Sequence, residues 1–290
     1  MAEQQYLDLV KEIIETGYID HGRNGKTLAK FGHTMRFSLR DGTLPILTTK
    51  KVAYRSCFEE LFWFIRGSTD NRELQEKKVY IWNGNSTRDF LDSRGLYERS
   101  VGDLGPVYGF QWRHFNATYT NSKADYTGKG IDQLQTIIDD LKNEDTRNSR
   151  RHIMTAWNPC QLDEMALPPC HMTCQFNVRD NQYLSCALFQ RSNDIGLGAP
   201  FNIASYSLLT HILANHCGLI ADEFVHFIGN CHIYEDHVDP LKFQLQREPM
   251  EFPKIEIKRT CENIEDYNID DIEWKTPYVS HEAIKMRMSA

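Results

Sequence analysis

Apolar positions recur at helical spacing in four places along the chain. Tyr6, Leu7, Val10, Ile13 and Ile14 share one stripe. Cys57, Phe58, Leu61, Phe62 and Ile65 form a second, which Gly67 ends. Leu134, Ile137, Ile138 and Leu141 make a third. Leu208, Leu209, Ile212 and Leu213 make a fourth, ending near Gly218. Strand-like runs lie between them. Gln175 to Val178 and Tyr183 to Phe189 flank the polar turn Arg179-Asp180-Asn181 and read as a hairpin. Phe224 to Tyr234 and Ile255 to Ile257 are further β-rich runs. Residues 118–130 are polar and read as a surface loop, and the charged tail from Glu262 onward, with its scattered aromatics, is expected to lie over the core.

Strands and helices are mixed without a repeating βαβ rhythm, so the expected class is α+β, as a single domain over residues 1–290. Hydrophobic residues make up 41% and charged residues 25%, which suits an ordinary packed core. The net charge of −7 argues against a general nucleic-acid or membrane-surface binder, while leaving room for an arginine cluster that holds an anion. No apolar run approaches the roughly 18 residues of a membrane span. Eight cysteines spread through a chain whose start lacks a secretory pattern suggest reduced thiols in the cytosol.

Several segments carry candidate chemistry. Gly25-Lys26-Thr27 resembles the end of a phosphate-binding loop, but the glycine required five positions earlier is Asp20, so that reading fails and a turn exposing Arg23 is left. Cys170 sits in Leu-Pro-Pro-Cys-His, where two prolines fix the approach of the chain just before a strand. As a thiolate it would be a nucleophile; as a thiol it would be an ordinary core residue. A metal site on Cys170, His171 and Cys174 lacks a second ligand pair at zinc spacing.

Arg191-Ser192-Asn193-Asp194, placed after a strand end, offers donors to a phosphate and an acceptor to a heterocycle, or is a solvated loop. Arg150-Arg151, ahead of an apolar strand, suits a phosphate or a plain surface. Glu60 lies among Phe58, Leu61, Phe62, Trp63 and Phe64; pointing inward it would be desolvated and able to handle protons, pointing outward it would do nothing special. His232 and Tyr234 alternate on one strand and so share a face.

Taken together, the pieces resemble one family. LPPCH at 167–171, QRSND at 190–194, LGAPFNIASY at 197–206 and HIY at 232–234 are similar in content and order to the thymidylate synthase signature. LRDGTLPILTTKK, EELFWFIRGST, GDLGPVYGFQWRHF, SRRHIMTAWNP and LKFQLQREP match as well, so the likeness runs from about Gln5 to Met288.

The resemblance implies a sheet-packed homodimer with a large twisted mixed sheet, flanking helices and active sites shared between subunits. It implies reductive methylation of dUMP to dTMP with 5,10-methylenetetrahydrofolate as cosubstrate and without a metal. In that reading Cys170 attacks uracil C6, Glu60 supports proton transfer and Tyr108 helps remove the C5 proton. Arg23, Arg191 and Ser192 hold the phosphate, joined by Arg150 and Arg151 of a second copy. Gln190 and Asn202 face the uracil, whose O4 and N3 match an amide, and His232 and Tyr234 hold the 3′-hydroxyl. Asp194 contacts the pterin, while Ile81, Trp82, Leu197, Gly198 and Phe201 line the folate site. Lys50 meets a polyglutamate tail, and Met288 to Ala290 close as a lid.

The rival on the same fold is a pyrimidine nucleotide hydroxymethylase, and a secondary mRNA-binding role is the non-catalytic alternative. Departures from the family pattern are Asn83 and Asn230 where Asp is usual, Asn177 where Tyr is common, Asp236 ahead of His237 where Asn is usual, a shorter loop at Arg23 and a tail at 278–281 without its usual prolines. Asn83 and Asn230 are expected to alter hydrogen bonding near the pterin and the nucleotide.

Overall fold

The structure is a computed structural model describing residues 2–22 and 25–288. Arg23 and Ala290 fall outside the described residues. The chain opens with α1 (Gln4–Thr16), whose stripe of Tyr6, Leu7, Val10 and Ile13 is buried. It then forms a hairpin of β1 (Tyr18–Gly22) and β2 (Gly25–Ser38). After this come α2 (Tyr54–Ile65), α3 (Asn71–Glu76), α4 (Arg88–Ser93), α5 (Tyr108–His114) and α6 (Gln133–Lys142). The second half contains β3 (Ile153–Thr155), β4 (His171–Arg179), β5 (Tyr183–Asp194), α7 (Gly198–His216), β6 (Ile220–Tyr234) and α8 (Val238–Gln244). A small ribbon of β7 (Ile255–Ile257) and β8 (Ile272–Trp274) closes the list.

Six strands form one sheet in the order β1-β2-β6-β5-β4-β3. All neighbours are antiparallel except β5 and β6, which run parallel and are connected through α7. A parallel pair needs such a crossover, because no tight turn can join strands pointing the same way. The sheet is therefore mixed and the class α+β, as expected. Helix α7 is buried along most of its length, from Ala199 to His216, between the sheet and α2.

The hairpin of β4 and β5 turns through the three residues 180–182, with Asp180 and Asn181 both at positive φ, a conformation that Asp and Asn tolerate better than most residues. A bulge interrupts β4: His171 pairs with Gln190 and Thr173 with Phe189, so two residues of β4 oppose one step of β5. His171 and Cys174 are both buried as a result, despite their odd separation.

Three readings of the sequence change. Arg191 to Asp194 do not follow the strand; they are its last residues. The segment 118–130 is irregular but not merely superficial, since Tyr119 and Tyr126 pack edge-on against Phe110 with centroids 5.0 and 4.8 Å away. Gly25-Lys26-Thr27 opens strand β2, paired with β1, rather than lying in a loop. The tail does lie over the core: Ile264, Tyr267 and Ile272 are buried, and Trp274 and Tyr278 pack on Tyr54.

Candidate active site

A cavity of about 610 Å³ opens where the C-terminal ends of β5 and β6 meet the first hairpin. The parallel pairing puts Ser192 beside Asn230 and Asp194 beside His232, so alternate residues of two strands line one wall. Crevices at the carboxyl ends of parallel strands commonly bind ligands. Asp20, Gly22, Gly25 and Thr27 of the hairpin form a second wall. Ile81, Trp82, Asn85, Leu167 and Met288 add mostly apolar surface, and Cys170 and Arg191 complete the lining.

Six of the eight cysteines are buried and Cys160 is exposed, while Cys170 is half-buried at the cavity wall. Its backbone N–H donates to the Tyr108 hydroxyl at 2.9 Å. The Arg191 guanidinium is held by the carbonyls of Pro169 at 2.8 Å and Pro168 at 3.1 Å. Thus the two prolines do more than stiffen the approach: their carbonyls aim the guanidinium, and its Nη2 lies 3.7 Å from Cys170 Sγ. A cation so close to a sulfur is the setting that favours a thiolate.

Glu60 points inward. Its Oε1 accepts a hydrogen bond from the Trp82 indole at 2.7 Å, and burial, only partly offset by that bond, raises its pKa to about 7. Burial also keeps the Tyr108 phenol protonated, its pKa pushed well above the usual value with help from Cys170. Beside it lies His171, stacked on the Tyr108 ring at 4.0 Å and bonded through Nδ1 to the Tyr206 hydroxyl at 2.6 Å. Burial and His226 hold the His171 pKa down at about 3, so this imidazole is neutral.

A second chain of contacts orients an amide. His226 Nε2 meets Gln190 Oε1 at 2.8 Å, and Gln190 Nε2 donates to Asn202 Oδ1 at 3.1 Å. Burial lowers the His226 pKa to about 3, which makes it a neutral N–H donor to Gln190. With its oxygen engaged, Asn202 keeps its amide N–H groups for another partner.

Asp194 accepts backbone N–H bonds from Gly196 at 2.8 Å and Leu197 at 3.2 Å on Oδ1, tying the start of α7 to the cavity. Its Oδ2 receives no hydrogen bond among the described residues, which leaves an acceptor for a ligand. The apolar surface of Ile81, Trp82, Leu167 and Met288 suits a flat heterocycle, and the carboxylate suits its N–H groups. Among the described residues, no group of three or more His, Cys, Asp and Glu is placed to hold a metal.

A family model described as thymidylate synthase matches residues 4–290. The chain belongs to the thymidylate synthase family. It is 52% identical to the human thymidylate synthase over 289 residues, covering 99% of this chain and 91% of the human one. It is likewise 52% identical to the thymidylate synthase of equine herpesvirus 2, covering 98% of that protein. The bifunctional dihydrofolate reductase-thymidylate synthase of Leishmania major is also 52% identical, and there the chain spans only about half of the relative's length, 55%.

Of the residues singled out from the sequence, Ile81, Trp82, Cys170, Arg191, Ser192, Asp194, His232 and Tyr234 meet at the cavity, as does Met288. Glu60 is joined to that group through Trp82 and Tyr108 through Cys170, while Gln190 Nε2 reaches the Ser192 carbonyl at 3.0 Å and carries Asn202 with it. Leu197, Gly198 and Phe201 begin α7 beside it.

Three residues stand apart. Arg150 and Arg151 are exposed in the turn before β3 and do not line the cavity. Lys50 is buried, with its ammonium on the carbonyl of Gly196; burial lowers its pKa to about 8 against the pull of Asp194 and Glu3. Of the family departures, Asn83 turns its oxygen to Asn71 and Gln75, while Asn230 lines the cavity and accepts at 2.9 Å from His232 Nδ1.

Sequence reasoning missed Asp20, Gly22, Thr27 and Asn85. For the first three a signal existed: Asn24-Gly25 is a hairpin dipeptide. It also passed over His237, which is buried behind Asp194.

No helix among the described residues is long and apolar enough to cross a membrane.

Proposed function

We propose that the chain methylates dUMP reductively to dTMP, with 5,10-methylenetetrahydrofolate as cosubstrate, in the cytosol. The observation that carries this reading is the meeting of the Cys170 sulfur with the Arg191 guanidinium at 3.7 Å on a cavity wall that Glu60 reaches through Trp82. The family membership supports it.

The chain's residues divide the work as follows. The Cys170 thiolate forms a bond to uracil C6, and the C5–C6 π electrons move onto O4. Glu60, whose proton is exchangeable near neutral pH, gives that proton to O4 as charge develops there and takes it back when the ring reforms its carbonyl. Bound methylenetetrahydrofolate would supply the carbon that C5 takes up and the hydride that completes the methyl group, leaving as dihydrofolate. The C5 proton departs on the side of Tyr108 to a water that its neutral hydroxyl orients. Breaking of the Sγ–C6 bond returns the thiolate.

Arg191 and Ser192 take the phosphate together with Arg23, which lies outside the described residues. His232 and Tyr234 take the sugar hydroxyl, and Asn202 the uracil edge. Asp194, Ile81, Trp82 and the start of α7 take the folate, with Lys50 next to it through Gly196. Arg150 and Arg151 reach the phosphate of a second copy, and the sheet supports that dimer: Phe31, Ile153 and Phe189 are exposed on it, and Phe189 stacks on Phe227 at 4.8 Å.

Incubation with dUMP and methylenetetrahydrofolate, followed by mass analysis, tests the reading. dTMP with dihydrofolate supports it; hydroxymethylated nucleotide with tetrahydrofolate replaces it by the hydroxymethylase. A 5-fluorinated dUMP analogue should add covalently to the peptide containing Cys170.

A further inference from the structure

His237 belongs to none of the roles assigned above, yet its side chain is fully buried beside the cavity. Its Nε2 donates to the Arg287 carbonyl at 2.7 Å. Its Nδ1 lies 3.7 Å from Asp194 Oδ1, within ion-pair range. Asp236 Oδ1 is 3.9 Å from Nε2, and the Tyr234 ring packs edge-on at 5.5 Å. Gly196 fills the space between these groups so closely that a Cβ there would fall 2.8 Å from His237 Nδ1, 3.2 Å from Asp194 Oδ1 and 3.3 Å from Met286 Sδ.

The imidazole thus touches two parts of one ligand wall that are far apart in sequence. Asp194 carries the acceptor facing the heterocycle and anchors α7 through Gly196 and Leu197. Arg287 directly precedes Met288, which lines the cavity. The segment before it has no regular secondary structure, so its placement depends on side-chain contacts such as this one.

We propose that His237 is a positioning residue for the folate cosubstrate, fastening the segment Met286–Met288 to the Asp194 wall. It acts on the cosubstrate through these two elements and does not touch the nucleotide. This rests on the reading that the cavity takes a folate.

The test compares wild type, His237→Ala, His237→Gln and Gly196→Ala. Each is read by KM for methylenetetrahydrofolate, KM for dUMP, and hydrogen–deuterium exchange of residues 282–288 without ligand. His237→Ala should raise the folate KM about tenfold, change the dUMP KM less than about twofold, and speed exchange of 282–288. His237→Gln should recover most of the loss, because its amide can still donate to the Arg287 carbonyl. Gly196→Ala should mimic His237→Ala by wedging the imidazole from the segment, and it decides the matter if the alanine variant does not fold.

An unchanged folate KM, a parallel rise in both KM values, or exchange identical to wild type would overturn the proposal. Wild type that converts dUMP with methylenetetrahydrofolate to neither dTMP nor a hydroxymethylated nucleotide would instead sink the folate reading, and the exchange measurement would then decide the fastening by itself.

Discussion

The Trp82 indole donates to Glu60 across 2.7 Å, and this bond holds a carboxyl buried at the edge of an aromatic helix face with a pKa of about 7. Burial raises that value and the indole lowers it. The sign for stability follows. Between the ordinary 4.5 and about 7, the folded carboxyl keeps a proton that the unfolded one has lost. Stability from this group therefore falls as pH rises through that window. Glu60→Gln should be more stable than wild type by about 1–3 kcal/mol near pH 8 and gain nothing near pH 4, measured by urea unfolding.

The same substitution should lower turnover by roughly a hundredfold or more, the usual size of a general acid–base contribution. Trp82→Phe removes the contact that lowers the Glu60 pKa. The limb of the pH–rate profile near pH 7 should then move to higher pH. A limb that stays in place would detach Glu60 from that titration.

Cys170→Ser should keep the fold, since the sulfur sits at the cavity wall and fills no core position. Turnover should drop by about three orders of magnitude or more, as when a covalent nucleophile is removed. Circular dichroism and the mass of dTMP formed check both halves. Near-normal product from this variant refutes the nucleophile assignment.

Arg191→Ala should slow alkylation of Cys170 by iodoacetamide near neutral pH by roughly tenfold, because it removes the cation 3.7 Å from Sγ. Arg191→Lys should restore little. A point charge cannot bond both proline carbonyls and also face the sulfur as the planar guanidinium does. Alkylation at the wild-type rate in the alanine variant would show the contact to be inconsequential.

Gly109→Ala tests how α5 is seated. A Cβ there would lie 2.4 Å from the Phe64 carbonyl oxygen and 2.8 Å from its Cα, both backbone atoms that cannot yield cheaply. The variant should lose about 1–3 kcal/mol in chemical denaturation. Its activity should fall further than its stability, because the adjacent Tyr108 would be displaced from Cys170.

Much of this was legible in the chain, and what was not has a physical cause. Helices α1 and α6 announce themselves because each buries one face, and α2 because its apolar stripe stands out although Leu61 to Ile65 are buried all round. Helix α7 was read only from its apolar second half; buried on nearly every side, it lacks a polar face to supply a period, and Ser205, Ser207 and Thr210 blur it.

Strand β2 went unread because its buried alternation of Thr27, Ala29, Met35 and Phe37 breaks at Phe31–Thr34, around a glycine at φ 86°. The hairpin wall of the cavity was lost with it. The chemical residues of β5, by contrast, stand out although the apolar pattern ends the strand at Phe189, since donor groups betray themselves where backbone geometry does not. That Glu60 turns inward was undecidable from spacing alone, because aromatic residues flank it on both sides.

The bulge at the start of β4 separates two kinds of constraint along one strand. Downstream, Cys174, Phe176 and Val178 answer to the interior. Upstream, Cys170 answers to the cavity and to Tyr108. The extra residue lets each side keep its own phase, so the interior can drift in sequence without rotating the thiol. Chemistry and packing are thereby insulated from each other within a few residues of chain.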